Sequence, residues 1–208
     1  MSEVDKQCKK CRRAGEKLFL KGEKCNSPKC PMIKRNFPPG AHGQGGFSRV
    51  TNYGRQLKEK QKAKRIYGLM EKQFRNYFEK AFKKVGNTAE ILFKSLEGRL
   101  DNTIFRLGLA SSRKEARQMV GHGHFKVNDR KVDIPSYQVK VGDIITIRDK
   151  SLKSLKFENL VEKMKDKEFA PWLNFDVKEM KGKVTGQAKM EDVGLNIDWR
   201  MIIEFYSK

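Results

Sequence analysis

The chain has 208 residues and a formal net charge of +21, with a sequence pI near 9.9. That excess of cations points to a nucleic-acid partner, and no apolar run is long enough to span a bilayer. The start, MSEVDKQCKKCRR, has no apolar core of a secretory signal, so a reducing cytoplasm is expected, where cysteines serve as metal ligands more often than as disulfides.

The charge is uneven. Residues 1–65 hold 18 Lys and Arg against 5 Asp and Glu, a net of +13. A block this basic repels itself unless an anion neutralises it. Residues 1–35 have too few large apolar side chains for a core of their own and need a staple. Cys8, Cys11, Cys25 and Cys30, spaced C-x2-C-x13-C-x4-C, supply one if two tight knuckles close a tetrahedron around one zinc ion. Four protein ligands leave no open coordination position, so the role is structural. A disulfide pair, an iron–sulfur cluster and idle thiols are the alternatives. Lys9, Lys10, Arg12 and Arg13 flank the first pair and present charge to phosphate.

Residues 36–54 (NFPPGAHGQGGFSRVTNYG) are rich in Gly and Pro and lack apolar periodicity. They read either as a plain linker or as an extended segment that lies along phosphates through backbone N–H groups, His42, Gln44 and Arg49. From about Arg55 to Val85 apolar residues recur at helical spacing: Ala63, Ile66, Met70, Phe74, Phe78, Ala81, Phe82 and Val85. This predicts one long helix with an aromatic stripe in the core. Lys58, Lys62 and Arg65 share another face of it. Asn87-Thr88-Ala89-Glu90 offers a capping box for the next helix.

Glu97–Leu107 (EGRLDNTIFRL) predicts a helix that buries Leu100, Ile104 and Leu107 and projects Arg99, Asn102 and Arg106. Next comes SSRKEARQMVGHGHFKVNDRKVDIP, residues 111–135. Ser112 and Glu115 form a capping box, Ala116, Met119 and Val120 make an apolar face, and Gly121 and Gly123 end the helix. Phe125 and Val127 alternate as a strand, Asn128-Asp129 turns, and Val132 and Ile134 resume the alternation. A third strand is expected at Ile144–Ile147. Arg113, Arg117, His122, His124, Lys126 and Asn128 rim this module. Residues 149–208 read as helix again around Leu152, Leu155, Leu160 and Met164, with a polar loop or hairpin over Gly182–Met190, and Ile202, Ile203 and Phe205 must bury.

The expected fold is α+β: a mainly helical domain (46–96 and 151–208) with an inserted small α+β RNA-binding module (97–150) and a zinc-stapled N-terminal segment with its loop (1–45). No catalytic set emerges. Of the three histidines, His122 and His124 lie in GHGH with no cysteine near them in sequence, Gly43-Gln44-Gly45-Gly46 lacks the Gly-Lys-Ser/Thr ending of a phosphate loop, and no Gly-x-Ser-x-Gly occurs. An RNA-modifying enzyme built on the same module, or a zinc-finger DNA regulator, are the competing classes; the first lacks its acid–base or nucleophilic residues.

CKKCRRAGEKLFLKGEKC, PPGAHGQ, NYGRQLKEKQKAKRIYG, EKQFRNYFEKA, GNTAE, EGRLDN, SSRKEARQMVGHGHFKVN, IPSYQVKVGD and EFYSK occur in an order and spacing by which the chain resembles the bacterial-type family of small ribosomal subunit protein four, over essentially its whole length. The resemblance implies a primary binder of small-subunit (16S) rRNA that nucleates assembly of the subunit body at a helix junction in the 5′ domain. It also implies zinc on the four cysteines, contact with ribosomal protein five through which decoding accuracy is tuned, and a place near mRNA at its entry channel. Members can repress their own operon. Before the NYG motif, relatives often carry several basic residues, whereas QGGFSRVT here leaves only Arg49, which weakens the case for help in unwinding mRNA. The RNA-contact set expected is Lys9, Arg12, Arg13, Arg35, His42, Gln44, Arg49, Arg55, Lys58, Lys62, Arg65, Arg99, Asn102, Arg106, Arg113, Arg117, His122, His124, Lys126 and Asn128. No membrane and no small-molecule substrate are expected.

Overall fold

The structure is a computed structural model that describes residues 3–45, 50–152, 154, 157, 164, 169–177 and 179–207, the first four of these in backbone only. The helices run α1 Glu3–Ala14, α2 Glu23–Asn26, α3 Pro31–Lys34, α4 Asn52–Ile66, α5 Glu71–Phe82, α6 Thr88–Glu97, α7 Leu100–Arg106, α8 Arg113–Gly121, α9 Asp149–Leu152, α10 Met190–Val193 and α11 Trp199–Tyr206. The strands are β1 Phe125–Val127, β2 Arg130–Lys131, β3 Ile144–Ile147, β4 Leu173–Asp176 and β5 Lys181–Val184. The chain is helical with a small antiparallel sheet, and it divides into two compact units, Met1–Ala89 with Asn196–Lys208, and Glu90–Leu195.

In the first unit, the long helix expected over 55–85 is two. The Leu69 N–H bonds to the Lys64 carbonyl at 3.0 Å and the Gly68 N–H to that of Arg65 at 3.3 Å, with Gly68 at φ +64°. This paired closure needs a left-handed residue, and only glycine takes that conformation without strain. The break turns Met70 out to 80% exposure, and Phe82 and Val85 are exposed as well, so the stripe's ends are not core. Phe74 and Phe78 do bury, and Tyr206 of α11 packs on them at 6.3 and 4.8 Å between ring centroids. The C-terminal helix therefore packs with α4 and α5, as its apolar run required.

Glu71 ties these three helices together. Its carboxylate accepts from Lys60 at 2.6 Å, Lys64 at 3.0 Å and the Tyr206 hydroxyl at 2.8 Å. Burial alone would raise the Glu71 carboxyl. The bonds from Lys60, Lys64 and Tyr206 outweigh it and hold Glu71 at about 2, against 4.5 ordinarily. Burial and the same bond push the Tyr206 phenol up. A depressed carboxyl adds stability that is complete above pH about 4.5 and is lost as pH falls through about 2. Because Glu71 is close to half exposed, solvent screening limits the contribution to about 1 kcal/mol. We expect the protection of α11 amides, with exchange corrected for its intrinsic pH dependence, to fall by that amount between pH about 4.5 and about 2, and Glu71→Gln to remove the acid-dependent part; an unchanged pH profile in the variant would refute the linkage.

The second unit holds a five-stranded sheet in the order β2-β1-β3-β5-β4, every neighbouring pair antiparallel. Residues 173–184, expected within a helical second part with a polar loop or hairpin, are instead two of its strands, and residues up to Leu195 belong to this unit. LNFD and KGKV each alternate buried and exposed, a period too short to stand out against the surrounding lysines. Leu155 and Leu160, expected in helix, lie outside the described residues. Gly182 sits opposite Ile145 in the register, and a Cβ there would come within 2.7 Å of the Leu107 side chain, so the helix layer approaches the sheet through a missing side chain. The core joins Leu92, Leu96, Leu100, Ile104 and Leu107 to Ala116, Val120, Phe125, Val127, Ile145 and Ile147. The β1–β2 turn uses Asn128 and Asp129 at φ +48° and +62°, the primed geometry that suits strand twist. Asn128 also donates to Asp143 at 2.9 Å and accepts from the Ile144 N–H at 2.9 Å, fixing the turn to β3. Ile134 is exposed, because β2 ends at Lys131.

Candidate nucleic-acid interface

The cations of the first unit divide by partner. Along α1, which packs on α4, Lys9 and Arg13 are exposed, and on α4 Arg55 and Lys58 are exposed. The Lys58 ammonium stands 3.8 Å from where a Cβ would be at Gly15, just beyond α1. Arg65 is half-buried and donates to the Lys10 carbonyl at 3.5 Å. Burial lowers its pKa, Arg13 lowers it further, and Cys11 opposes them. Two guanidiniums are thus held in one field, the arrangement that an anion relieves. Arg35, His42 and Gln44 are exposed on the segment after α3.

Two expected contacts of this unit point inward. Lys62 is 5% exposed and pairs with Glu16 at 2.7 Å and Glu59 at 3.6 Å. A buried, doubly paired ammonium has no reach to a phosphate, so Lys62 leaves the set. Arg12 donates to the carbonyls of Phe37 at 3.0 Å and Pro38 at 3.4 Å and lies over the Phe37 ring; it fastens the 36–45 segment to α1. Arg49 lies outside the described residues.

The four cysteines fall differently from two knuckles. Cys8 and Cys11 are one turn apart on α1, Cys25 is in α2, and Cys30 precedes Pro31 at the start of α3. Cys11, Cys25 and Cys30 are buried. Burial pushes the Cys11 thiol up, a backbone bond from Leu18 pulls it down, and Cys25, Cys8 and Cys30 push it up again. The Lys21 N–H donates to the Cys25 sulfur at 3.3 Å. The donor types suit zinc, but among the described residues no three His, Cys, Asp or Glu side chains form a ready ligand group.

In the second unit, EGRLDN is an internal network and not a projecting face. Arg99 is fully buried and holds Asp101 with two bonds, 3.0 and 2.6 Å. Arg106 holds Glu97 with two, 3.0 and 3.1 Å. Asn102, 2% exposed, donates to the Glu97 carboxylate at 2.8 Å and to its carbonyl at 3.1 Å. Arg99 and Asn102 therefore leave the contact set, and Arg106 is largely engaged; helical periodicity had placed them opposite the apolar residues, but their face of α7 packs inside the unit. Among the residues that remain, Arg113 follows the N-cap Ser112, whose side chain accepts from the Glu115 N–H as the sequence required. Lys114, Arg117 and His122 are exposed on α8 and just after it. His124 is half-buried, with its Nδ1 2.9 Å from the Ser151 hydroxyl. Lys126 pairs with Asp149 at 3.1 Å. Asn128 spends its amide on the turn. Two cations outside the expected set, Lys131 and Arg148, lie against the exit of α8: a Cβ at Gly123, buried at φ +70°, would meet Lys131 at 2.4 Å and Arg148 at 3.7 Å, Arg148 donates to the Gly123 carbonyl at 3.0 Å, and Lys131 pairs with Asp133 at 3.1 Å. Gly123, not Gly121, carries the left-handed exit of α8.

Among the described residues no helix is long and apolar enough to cross a membrane. The sequence matches the family of the ribosomal protein S4/S9 N-terminal domain over residues 4–97 and that of the S4 domain over residues 98–145. It is 55% identical over 202 residues to small ribosomal subunit protein uS4 of Clostridioides difficile, covering 97% of this chain and 96% of that one. Against uS4A of Alkaliphilus metalliredigens the identity is 53% over 205 residues, 99% and 98% of the two chains. Against uS4 of Thermus thermophilus it is 50% over 201 residues, 97% and 96%. These relatives are ribosomal proteins, not enzymes. With such identity along nearly its whole length, the chain belongs to the uS4 family of small ribosomal subunit proteins.

Proposed function

We propose that this protein is a structural, rRNA-binding constituent of the cytoplasmic small ribosomal subunit, and that it acts as a primary binder nucleating assembly at a helix junction in the 5′ domain. Membership of the uS4 family supports the setting. The observation that carries a binding surface on each unit is its exposed cations: Lys9, Arg13, Arg35, Arg55 and Lys58 in the first unit and Lys114 and Arg117 in the second. Contact with ribosomal protein five, an influence on decoding accuracy, and proximity to mRNA belong to the same reading and rest on the resemblance alone.

Phosphate neutralisation makes log K fall linearly with log salt, by about 0.7–0.9 per phosphate contacted. Arg13→Ala and Lys58→Ala should each lower that slope by about one contact, while Lys62→Met should leave it unchanged. RNA folds are recognised through shape and backbone, so a junction from the 5′ domain should bind more tightly than a simple duplex at moderate salt; equal affinity would overturn the assembly role.

Zinc on Cys8, Cys11, Cys25 and Cys30 is proposed on the donor chemistry. The buried sulfurs repel each other as thiolates, and a dication is what removes that repulsion. One zinc per chain is expected by metal analysis of protein purified without chelator, and chelation should speed amide exchange in residues 7–45 before any other part. Cys25→Ser should reproduce that loosening while residues 97–148 stay folded. A metal-free protein with unchanged exchange would remove zinc from the account.

A further inference from the structure

The apolar stripe of α5 puts Phe82 in the core, yet its side is turned out and the residue is 59% exposed. One exposed phenylalanine is ordinary on a protein surface; the setting of this one is not. The Phe82 ring stacks on Phe78, 5.7 Å between centroids and 26° between planes. Phe78, itself buried, stacks in turn on Tyr206 at 4.8 Å and 26°. The Tyr206 hydroxyl donates to Glu71 at 2.8 Å. Three rings thus form one stack, anchored at Tyr206 and open at Phe82. A ring already held in place loses little freedom when a ligand covers it. The charge at the open end has one sign. Residues 80–89 (KAFKKVGNTA) hold three lysines and no acid. Glu79, just before them, is taken by Arg75 at 2.9 Å. Lys80, Lys83 and Lys84 are exposed, and among the described residues no carboxylate pairs with them. A helix C-terminus favours cations on its own account, so the lysines alone point to no ligand. A flat apolar ring set among them does, because a nucleotide brings a π face and a phosphate together. An apolar side chain of a protein partner would cover the ring and leave the three charges unanswered.

We propose that Phe82 is a stacking platform for an unpaired base of rRNA, with Lys83 and Lys84 on the phosphates beside that base, resting on the RNA-binding function proposed above. Sequence and fold in RNA are read largely at bases that junctions and loops leave unstacked, and aromatic rings are what receive them. The platform therefore adds to the backbone contacts a preference for RNA that presents a free base, which cations by themselves do not give.

The test titrates a 5′-domain fragment of small-subunit rRNA with the full-length protein at several salt concentrations. Phe82→Ala should weaken binding by about tenfold, as loss of one base–aromatic stack does, and leave the salt slope unchanged, because no phosphate contact is lost. Phe82→Leu, apolar but without a flat ring, should be weakened nearly as much. Phe82→Trp should bind at least as tightly as wild type, which shows that the fold tolerates change here, and its indole emission should be quenched by the RNA over a constant background from the buried Trp172 and Trp199. Lys83→Gln with Lys84→Gln should lower the slope by about two phosphate contacts. Wild-type affinity in Phe82→Ala or Phe82→Leu, or an unquenched indole in Phe82→Trp, would overturn the platform while leaving rRNA binding intact. A wild-type protein that does not bind the fragment would overturn the function itself, and this inference with it.

Discussion

Replacing Asp101 by alanine is expected to destabilise the Glu90–Leu195 unit by about 3–5 kcal/mol. Asp101 and Arg99 are almost wholly withdrawn from water, their side chains 6% and 1% exposed. Removing the carboxylate strips a buried guanidinium of its bidentate counter-charge, and the cost of that exceeds the net worth of the pair. The position also matters for architecture. Arg99 precedes the first turn of α7, its carbonyl accepts from the Thr103 hydroxyl at 3.0 Å, and Leu100 N–H bonds to the Tyr137 carbonyl at 2.9 Å. The pair therefore sits where α7 meets the strand-like segment before β3. Asp101→Asn keeps the acceptor and should cost less. Arg99→Met with Asp101→Leu, which removes both charges and fills the space, should fall near wild type. Buried Trp172 lies in the same unit. With Trp199 changed to phenylalanine, its fluorescence reads the shift in denaturant midpoint directly. A drop below about 1 kcal/mol in Asp101→Ala would show that the pair is hydrated in solution.

Phe125→Ala should cost a comparable amount, about 3–5 kcal/mol, by opening a cavity that the surroundings fill only in part. Phe125 is fully buried, lies opposite Ile147 in the β1–β3 register, and meets Phe157 edge-on at 6.4 Å. It follows the Gly123 exit of α8 by two residues, so it anchors the place where helix becomes hairpin. Phe125→Leu keeps most of the volume and should lose less. The same Trp172 midpoint measures both, and equal losses in the two variants would mean that ring shape rather than volume holds this corner.

These two residues show how differently a sequence exposes its roles. Phe125 was legible as core because a strand alternates with period two and its neighbours Lys126 and Val127 keep the pattern. The Ser112–Glu115 cap, the Asn128-Asp129 turn and the strand Ile144–Ile147 were legible for the same reason: each is written in residues adjacent along the chain. The break at Gly68 was legible in principle, since a glycine one residue past the last helical turn is the usual signal, but the apolar stripe runs through it and hid it.

The inward cations were not legible. Helical periodicity puts Arg99, Asn102 and Arg106 opposite the leucines, and periodicity alone cannot tell a wet face from one that packs on further structure. What decides is a carboxylate and its burial. Lys62 finds Glu16, forty-six positions away, and Arg12 reaches the carbonyl of Phe37. The strands Leu173–Asp176 and Lys181–Val184 likewise exist because β3 offers a free edge to pair with, a fact held by no local window. By itself, then, the sequence determined the charge, the family and the helix-and-hairpin of residues 112–131, because composition and nearest-neighbour chemistry suffice for those. Only the tertiary structure decided which cations face a ligand and which hold the protein together, because a charge is turned inward or outward by partners that folding brings from elsewhere in the chain.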